Sequence, residues 1–453
     1  MLESFSMKQT QESYNRRRKR TALNERKDDI MNVKRIVCLA ALLSAVQLLT
    51  GCGKEDETDG KTVVSMVQYK PEAVKAFEKL QDEFNRTHDD IYLKIESPND
   101  AMTVLKTRFI REDYPDIIGI GGDMNYSYFV DADILADVSD YQGLEKIKPA
   151  YLDILENLEF IPTDGIFGVP YVANAAGVLY NKDIFQEHGW EVPQTWDEFM
   201  SLCDEIKEAG MTPFTFGFKE TWTCLAPWNA LAVDLAPSDV CQQVNKGETT
   251  FTEEYREVAE KMQQLLSYGS KDSFAYGYND ACTAFANGES AMYTIGSYAV
   301  PQIKSVNPDM NIDSFVMPGS NNKEDLALNS GVDLQFCVTK DSKNKEAAYE
   351  VLDFLLEHGS MQTYLDEQTA VPCLNEQFEL PEMLDGMTEY INQGIMRDYH
   401  DHYYPSEMAV DAQIQTFLLD GDVDKFLNKF DIDWIRYNRD IISKMKKYQE
   451  QED

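Results

Sequence analysis

The chain has 453 residues, with 79 Asp and Glu against 42 Lys and Arg, for a formal charge of −37. The first 51 residues are basic, so the remainder is more acidic still, and such a surface repels phosphate backbones and anionic headgroups. Nucleic acid is therefore excluded as an expected partner, whereas 43% apolar residues over this length suffice for two sizeable cores.

Residues 1–30 carry the run Arg16-Arg17-Arg18-Lys19-Arg20 and are expected to be a mis-assigned start or a disordered extension, with Met31 as the true start. Lys34 and Arg35 then precede an apolar run, Ile36 to Val46, which is shorter than the roughly 20 residues a membrane span needs. The run closes on Leu49-Thr50-Gly51-Cys52, which resembles the lipobox of bacterial lipoproteins. That resemblance implies a signal peptide over residues 31–51, a lipid on the sulfur of Cys52 and attachment to the outer face of the cell membrane. Residues 53–60 have nothing apolar to bury, so residues 52–60 read as a tether.

Folded structure is expected to begin with a β-rich strand at Thr62 to Val67. Pro71 opens a helix whose residues Val74, Phe77, Leu80 and Phe84 share one face. Ile91, Leu93 and Ile95 alternate as in a strand, Met102, Leu105 and Phe109 stripe a second helix, and Asp116 to Gly122 form a buried strand ending in a turn. This β-α-β-α-β order predicts a parallel sheet covered by helices, whose ligands sit beyond the carboxyl ends of the strands. The loops Gln68 to Lys70 and Gly121 to Tyr128 thereby become site candidates. Phe167 to Tyr171 and Gly177 to Lys182 read as one bent strand passing between lobes. Thr195 and Glu198 form a capping box for a helix that stops at Gly210. Ala281 to Asn287 reads as a helix, Ser290 to Ile295 and Gly331 to Val338 as strands, and Asn344 as the cap of a helix stopping near Gly359. Cys203, Cys224, Cys241, Cys282, Cys337 and Cys373 have no metal-like spacing, and their residues leave disulfides and buried thiols both open.

The order of several motifs resembles the family 1 extracellular solute-binding proteins, the sugar-capturing lipoproteins of bacterial ABC importers. They are Tyr114-Pro115-Asp116-Ile117, Gly168-Val169-Pro170-Tyr171 with Leu179-Tyr180-Asn181-Lys182, Pro193 to Phe199, Phe285 to Tyr298 and Ser330 to Leu356. The resemblance implies a two-lobed α/β fold of the periplasmic-binding-protein type II, each lobe a mainly parallel sheet flanked by helices, with hinge strands between. Lobe one would comprise residues 61–172 and 316–372, and lobe two residues 173–315 and 373–453. The implied protein is a monomer that binds a small ligand and docks on permease subunits, with no cofactor, metal or catalysis.

Sugars present apolar C–H faces and a rim of hydroxyls, so their sites pair flat aromatics with donor and acceptor side chains. The resemblance makes Tyr298, just after Gly296-Ser297, the first stacking candidate; packing at a strand end is its alternative. Asp123 could accept two hydroxyl hydrogen bonds, or serve as a turn residue beside its glycines, and Tyr126 shares its loop. Tyr171 and Asn174 flank the presumed hinge. Trp222 and Trp228 lie in a segment without clear period, one or both facing the cleft or the core. Asp333 follows Gly331 at a hinge crossing, and Tyr404 falls where the family often places a late aromatic. His400-Asp401-His402 lacks the third ligand of a metal site, and HExxH, GxSxG and Walker motifs are absent. A peptide or polyamine receptor remains the alternative that the acidity allows, and a glycoside-acting enzyme the more remote one.

Overall fold

The computed structural model describes Thr58 and residues 60–452. Cys52, the signal segment and most of the tether lie outside the described residues. No helix among the described residues is long and apolar enough to cross a membrane.

Among the described residues, twelve strands build two sheets: β1 (Thr62–Gln68), β2 (Ile91–Glu96), β3 (Ile117–Ile120), β4 (Val169–Ala173), β5 (Ala176–Asn181), β6 (Thr212–Phe214), β7 (Ser290–Gly296), β8 (Ile312–Phe315), β9 (Leu328–Asn329), β10 (Val332–Val338), β11 (Val371–Pro372) and β12 (Met396–Arg397). The first sheet has the order β11-β4-β10-β3-β1-β2. The second runs β12-β9-β5-β7-β6, with β8 also paired to β5. Helices bury apolar stripes against them, as Val74–Thr87 does with Ala76, Phe77, Leu80 and Phe84.

The sheets are mixed rather than mainly parallel. β1 is parallel to β2 and β3, but β10 is antiparallel to both β3 and β4. In the second sheet β5 is antiparallel to β7 and β8, and only β6–β7 and β9–β12 are parallel. The cause is the chain path. β1, β3 and β4 run towards the junction of the lobes, whereas β10 re-enters from it and must run the other way; β5 leaves the junction and β7 returns to it.

Asn174 and Ala175 form the first crossing, between β4 in one sheet and β5 in the other. The second lies at Ser330-Gly331. Residues 316–329, expected in lobe one, belong with the second sheet, because β9 pairs with β5 and β12. The buried carboxylate of Asp234 fastens that loop by accepting the Gly319 and Ala327 amides at 2.7 and 3.0 Å. The third crossing also falls later than expected, within residues 376–381. Asn375 still bonds to Lys146 of lobe one, whereas Met383 already accepts from Ser314 of lobe two.

Thr195 accepts the Glu198 amide and Glu198 accepts that of Gln194. Asn344 precedes its helix but turns its side chain to Val63 O and Asp116 instead of capping. All six cysteines from Cys203 to Cys373 are buried free thiols.

Candidate functional site

Where β1 ends, the buried Gln68 amide shapes the turn by accepting the Lys70 N–H at 2.6 Å and donating to Lys70 O at 2.8 Å. This turn brings the Tyr69 hydroxyl onto Asp333 O and the Lys70 ammonium onto the Asp333 carboxylate, with Glu72 at 3.1 Å. Burial opposes the charge on Lys70, but Asp333 and then Glu72 outweigh it and raise its pKa. Beyond β3, Asp123 caps the helix Met124–Asp131 by accepting the Asn125 amide at 2.7 Å. A Cβ on Gly121 would lie 3.4 Å from Tyr69 Oη, 3.6 Å from Asp123 Oδ2 and 3.7 Å from Asp333 O, so these groups converge on one glycine. Lobe one thus offers a polar edge of Tyr69, Lys70, Asp123 and Asp333.

Lobe two offers an aromatic wall. Trp222 packs on Tyr278 with centroids 5.2 Å apart and on Tyr298 at 6.3 Å. Its indole N–H donates to Glu220 at 3.1 Å, which fixes the ring while leaving its face free. Trp222 and Tyr298 keep 39% and 38% of their surface exposed, so the pair presents an open aromatic surface. Gly296 is required for this arrangement: a Cβ there would stand 2.2 Å from the Tyr298 ring.

Between edge and wall lies the 398–402 segment. His402 Nδ1 is 2.8 Å from Asp398 Oδ1, its ring packs on Tyr399 at 5.0 Å, and Asp401 accepts from Asn229 at 2.7 Å. Burial works against a charge on His402, but Asp398, then Asp401 and Asp123, push its pKa up to about 10. The segment lies against Gly331, where a Cβ would stand 2.3 Å from Asp398 Oδ1 and 2.7 Å from Tyr399 Cδ2.

Asp123 and Asp333 belong to the polar edge, Trp222 and Tyr298 to the aromatic wall, and Asn174 to the first crossing. Tyr126, Tyr171, Trp228 and Tyr404 are packed inside a lobe. Tyr126 packs in lobe one beneath its helix, and Tyr171 is wedged against Phe336 and Tyr364 at 5.0 and 5.2 Å. Trp228 donates to Tyr404, Tyr404 to Tyr255, and Tyr255 reaches His400 Nδ1, a closed chain inside lobe two. Tyr69 and Lys70 fall in the candidate loop Gln68 to Lys70 without having been singled out, His402 was weighed only as a metal ligand, and Tyr399 was not named.

The two histidines give stability opposite dependences on pH. Burial, and then Arg397, push His400 down to about 3. Below about pH 6.5 the unfolded chain binds a proton there that the folded chain refuses, so stability falls as pH drops, by at most about 1.4 kcal/mol per unit. His402 acts oppositely: its contribution is complete below about pH 6.5 and is lost as pH rises towards about 10. Burial pushes the carboxyls of Asp234 and Glu159 up to about 7, and these slope the other way between about pH 4 and 7, so the histidines are read from the difference between variant and wild type in urea unfolding from pH 4 to 9. His400→Gln should remove the loss towards acid pH and His402→Gln the loss towards alkaline pH; profiles unchanged in both variants would refute the assignment.

A two-lobed α/β fold whose chain crosses three times between its two sheets is that of the solute-binding proteins. The sequence profile of the bacterial extracellular solute-binding proteins matches residues 70–362, and the chain belongs to that family. It is 30% identical over 333 residues to the multiple sugar-binding protein of Streptococcus mutans, covering 70% of this chain and 77% of that one. The melibiose/raffinose/stachyose-binding protein MelE of Bacillus subtilis is 21% identical over 341 residues, 72% of this chain and 78% of that one. Among solved structures, the apo-form of RafE from Streptococcus pneumoniae superposes with a TM-score of 0.74 at 25% identity, covering 82% of this chain and 97% of that one. RafE in complex with raffinose gives 0.66 at 25% identity, over 82% of this chain and 98% of that one.

Proposed function

We propose that the protein is the receptor of an ABC importer and captures a neutral oligosaccharide of the raffinose type between its lobes. The observation that carries this reading is the pairing of the Trp222–Tyr298 wall with the Tyr69–Lys70–Asp123–Asp333 edge. Apolar sugar faces stack on the first, and hydroxyls bond to the second. The cations of the cleft are engaged, Lys70 by Asp333 and His402 by Asp398, so an anionic sugar would meet Asp123, Asp333 and Asp401 instead. The named ligands of RafE and MelE supply the sugar class.

Ligand bridging edge and wall favours the closed state, with rotation about the crossings at residues 174–175, 330–331 and 376–381. The closed monomer then docks on the permease, held near it by lipid on Cys52 and the tether of residues 52–60. Capture and release need no bond to break, and the protein acts without catalysis, cofactor or metal.

Thermal unfolding with raffinose, stachyose, melibiose and spermidine tests this. A ligand at 100 times its Kd should add about 2.7 kcal/mol of stability, and we expect that from at least one galactoside and none from spermidine. Stabilisation by spermidine alone would replace the sugar with a polyamine. Chromatography of each saccharide after incubation should return it intact; cleavage would make the protein an enzyme.

A further inference from the structure

We propose that Asp398 is a positioning residue that keeps His402 doubly protonated, so that the cleft presents a fixed cationic N–H donor packed against the hinge. His402 as a ligand donor rests on the receptor reading above; its charge state does not.

The geometry is specific. Asp398 is almost wholly buried, its side chain 4% exposed, and its Oδ1 meets both His402 Nδ1 and the Tyr399 amide at 2.8 Å. A carboxylate in that position holds the proton on Nδ1, which leaves Nε2–H as the free donor of the imidazolium. The His402 side chain is 24% exposed, and no hydrogen bond to Nε2 occurs among the described residues. The groups bearing on its charge come from both lobes: Asp398, Tyr399 and Asp401 of its own segment, and Asp123 from the loop after β3. All the charged members are acidic, and all favour the cation. Burial alone favours the neutral ring.

The dyad also abuts the second crossing. A Cβ on Gly331 would stand 2.3 Å from Asp398 Oδ1 and 2.6 Å from His402 Cε1, so only glycine lets the hinge strand pass this close. The donor is thus seated on the hinge itself, and a ligand that accepts from Nε2 pulls on a group in contact with Gly331. A charged donor binds a hydroxyl or ring oxygen more strongly than a neutral one, and a locked charge makes capture indifferent to external pH.

Two measurements on the full-length protein decide it. The imidazole resonances of His402, assigned by comparison with His402→Gln, should show a doubly protonated ring from pH 5.5 to 8.5, and in Asp398→Asn should titrate within that interval. Calorimetry with raffinose should give wild-type affinities that change less than about twofold over this range, whereas Asp398→Asn loses about fivefold between pH 5.5 and 8.5. His402→Gln should bind weakly with a flat profile. A His402 ring that titrates near its ordinary value in the wild type overturns the proposal. So does an Asp398→Asn profile that is uniformly lowered, since that is the mark of a purely structural role. A wild type that ignores raffinose while His402 stays charged would remove the sugar class and uphold the dyad.

Discussion

Trp222→Ala is expected to weaken oligosaccharide binding by about thirtyfold or more, equivalent to roughly 2 kcal/mol, while leaving the melting temperature nearly unchanged. Two observations separate the effects. The indole is 39% exposed, so its removal opens no closed cavity. Its anchoring hydrogen bond runs to Glu220, a neighbour in the same surface turn, rather than into the core. What the substitution deletes is the plate of the aromatic wall, which Tyr298 alone, 6.3 Å away and inclined at 48°, cannot replace. Titration calorimetry with raffinose, beside a thermal scan of the free protein, would show both. Unchanged affinity would move the ligand off this wall.

Trp228→Ala should do the reverse, costing about 3–5 kcal/mol of stability. Trp228 is fully buried, edge-on to Tyr255 and Phe426 at 5.4 and 5.5 Å. Its loss leaves a cavity and strips the Tyr404 hydroxyl of the N–H it accepts at 3.3 Å. Because the chain Trp228–Tyr404–Tyr255–His400 is closed to the cleft, the fraction that remains folded should bind ligand with wild-type affinity. Urea unfolding and calorimetry at low temperature would test the two halves separately. A large affinity change with intact stability would place Trp228 in the site after all.

These two tryptophans mark where sequence reading succeeds and stops. The places of Asp123, Asp333 and Tyr298, at or beside the ends of strands that meet the interlobe junction, were legible because position at a strand end follows from pattern alone. Trp222 and Trp228 could not be told apart, since the helix Leu225–Leu235 buries residues all round and has no stripe to orient it. Tyr171 failed for a related reason: every residue of β4 is buried, so the alternation that separates a cleft face from a core face is missing. The lobe boundary at residue 316 failed because β9 is only two residues long and is defined by partners remote in sequence. His402 sits in a single 3₁₀ turn, His400–Tyr403, where neither helical nor strand periodicity applies. Only its pairing with Asp398, and Gly331 beside both, gives it a meaning, and that contact belongs to the fold.

The central place of β10 in the first sheet has a consequence for how the chain assembles. β3 and β4 never touch each other; β10 lies between them, and it leaves the ribosome only after residues 174–329, the larger part of lobe two. Until then the amino-terminal lobe is two separate fragments with open strand edges, unable to close its core. Pairings this distant in sequence form slowly. For a chain that must be threaded across a membrane before it works, that slowness keeps the amino-terminal half loose until the carboxyl-terminal half arrives to lock it.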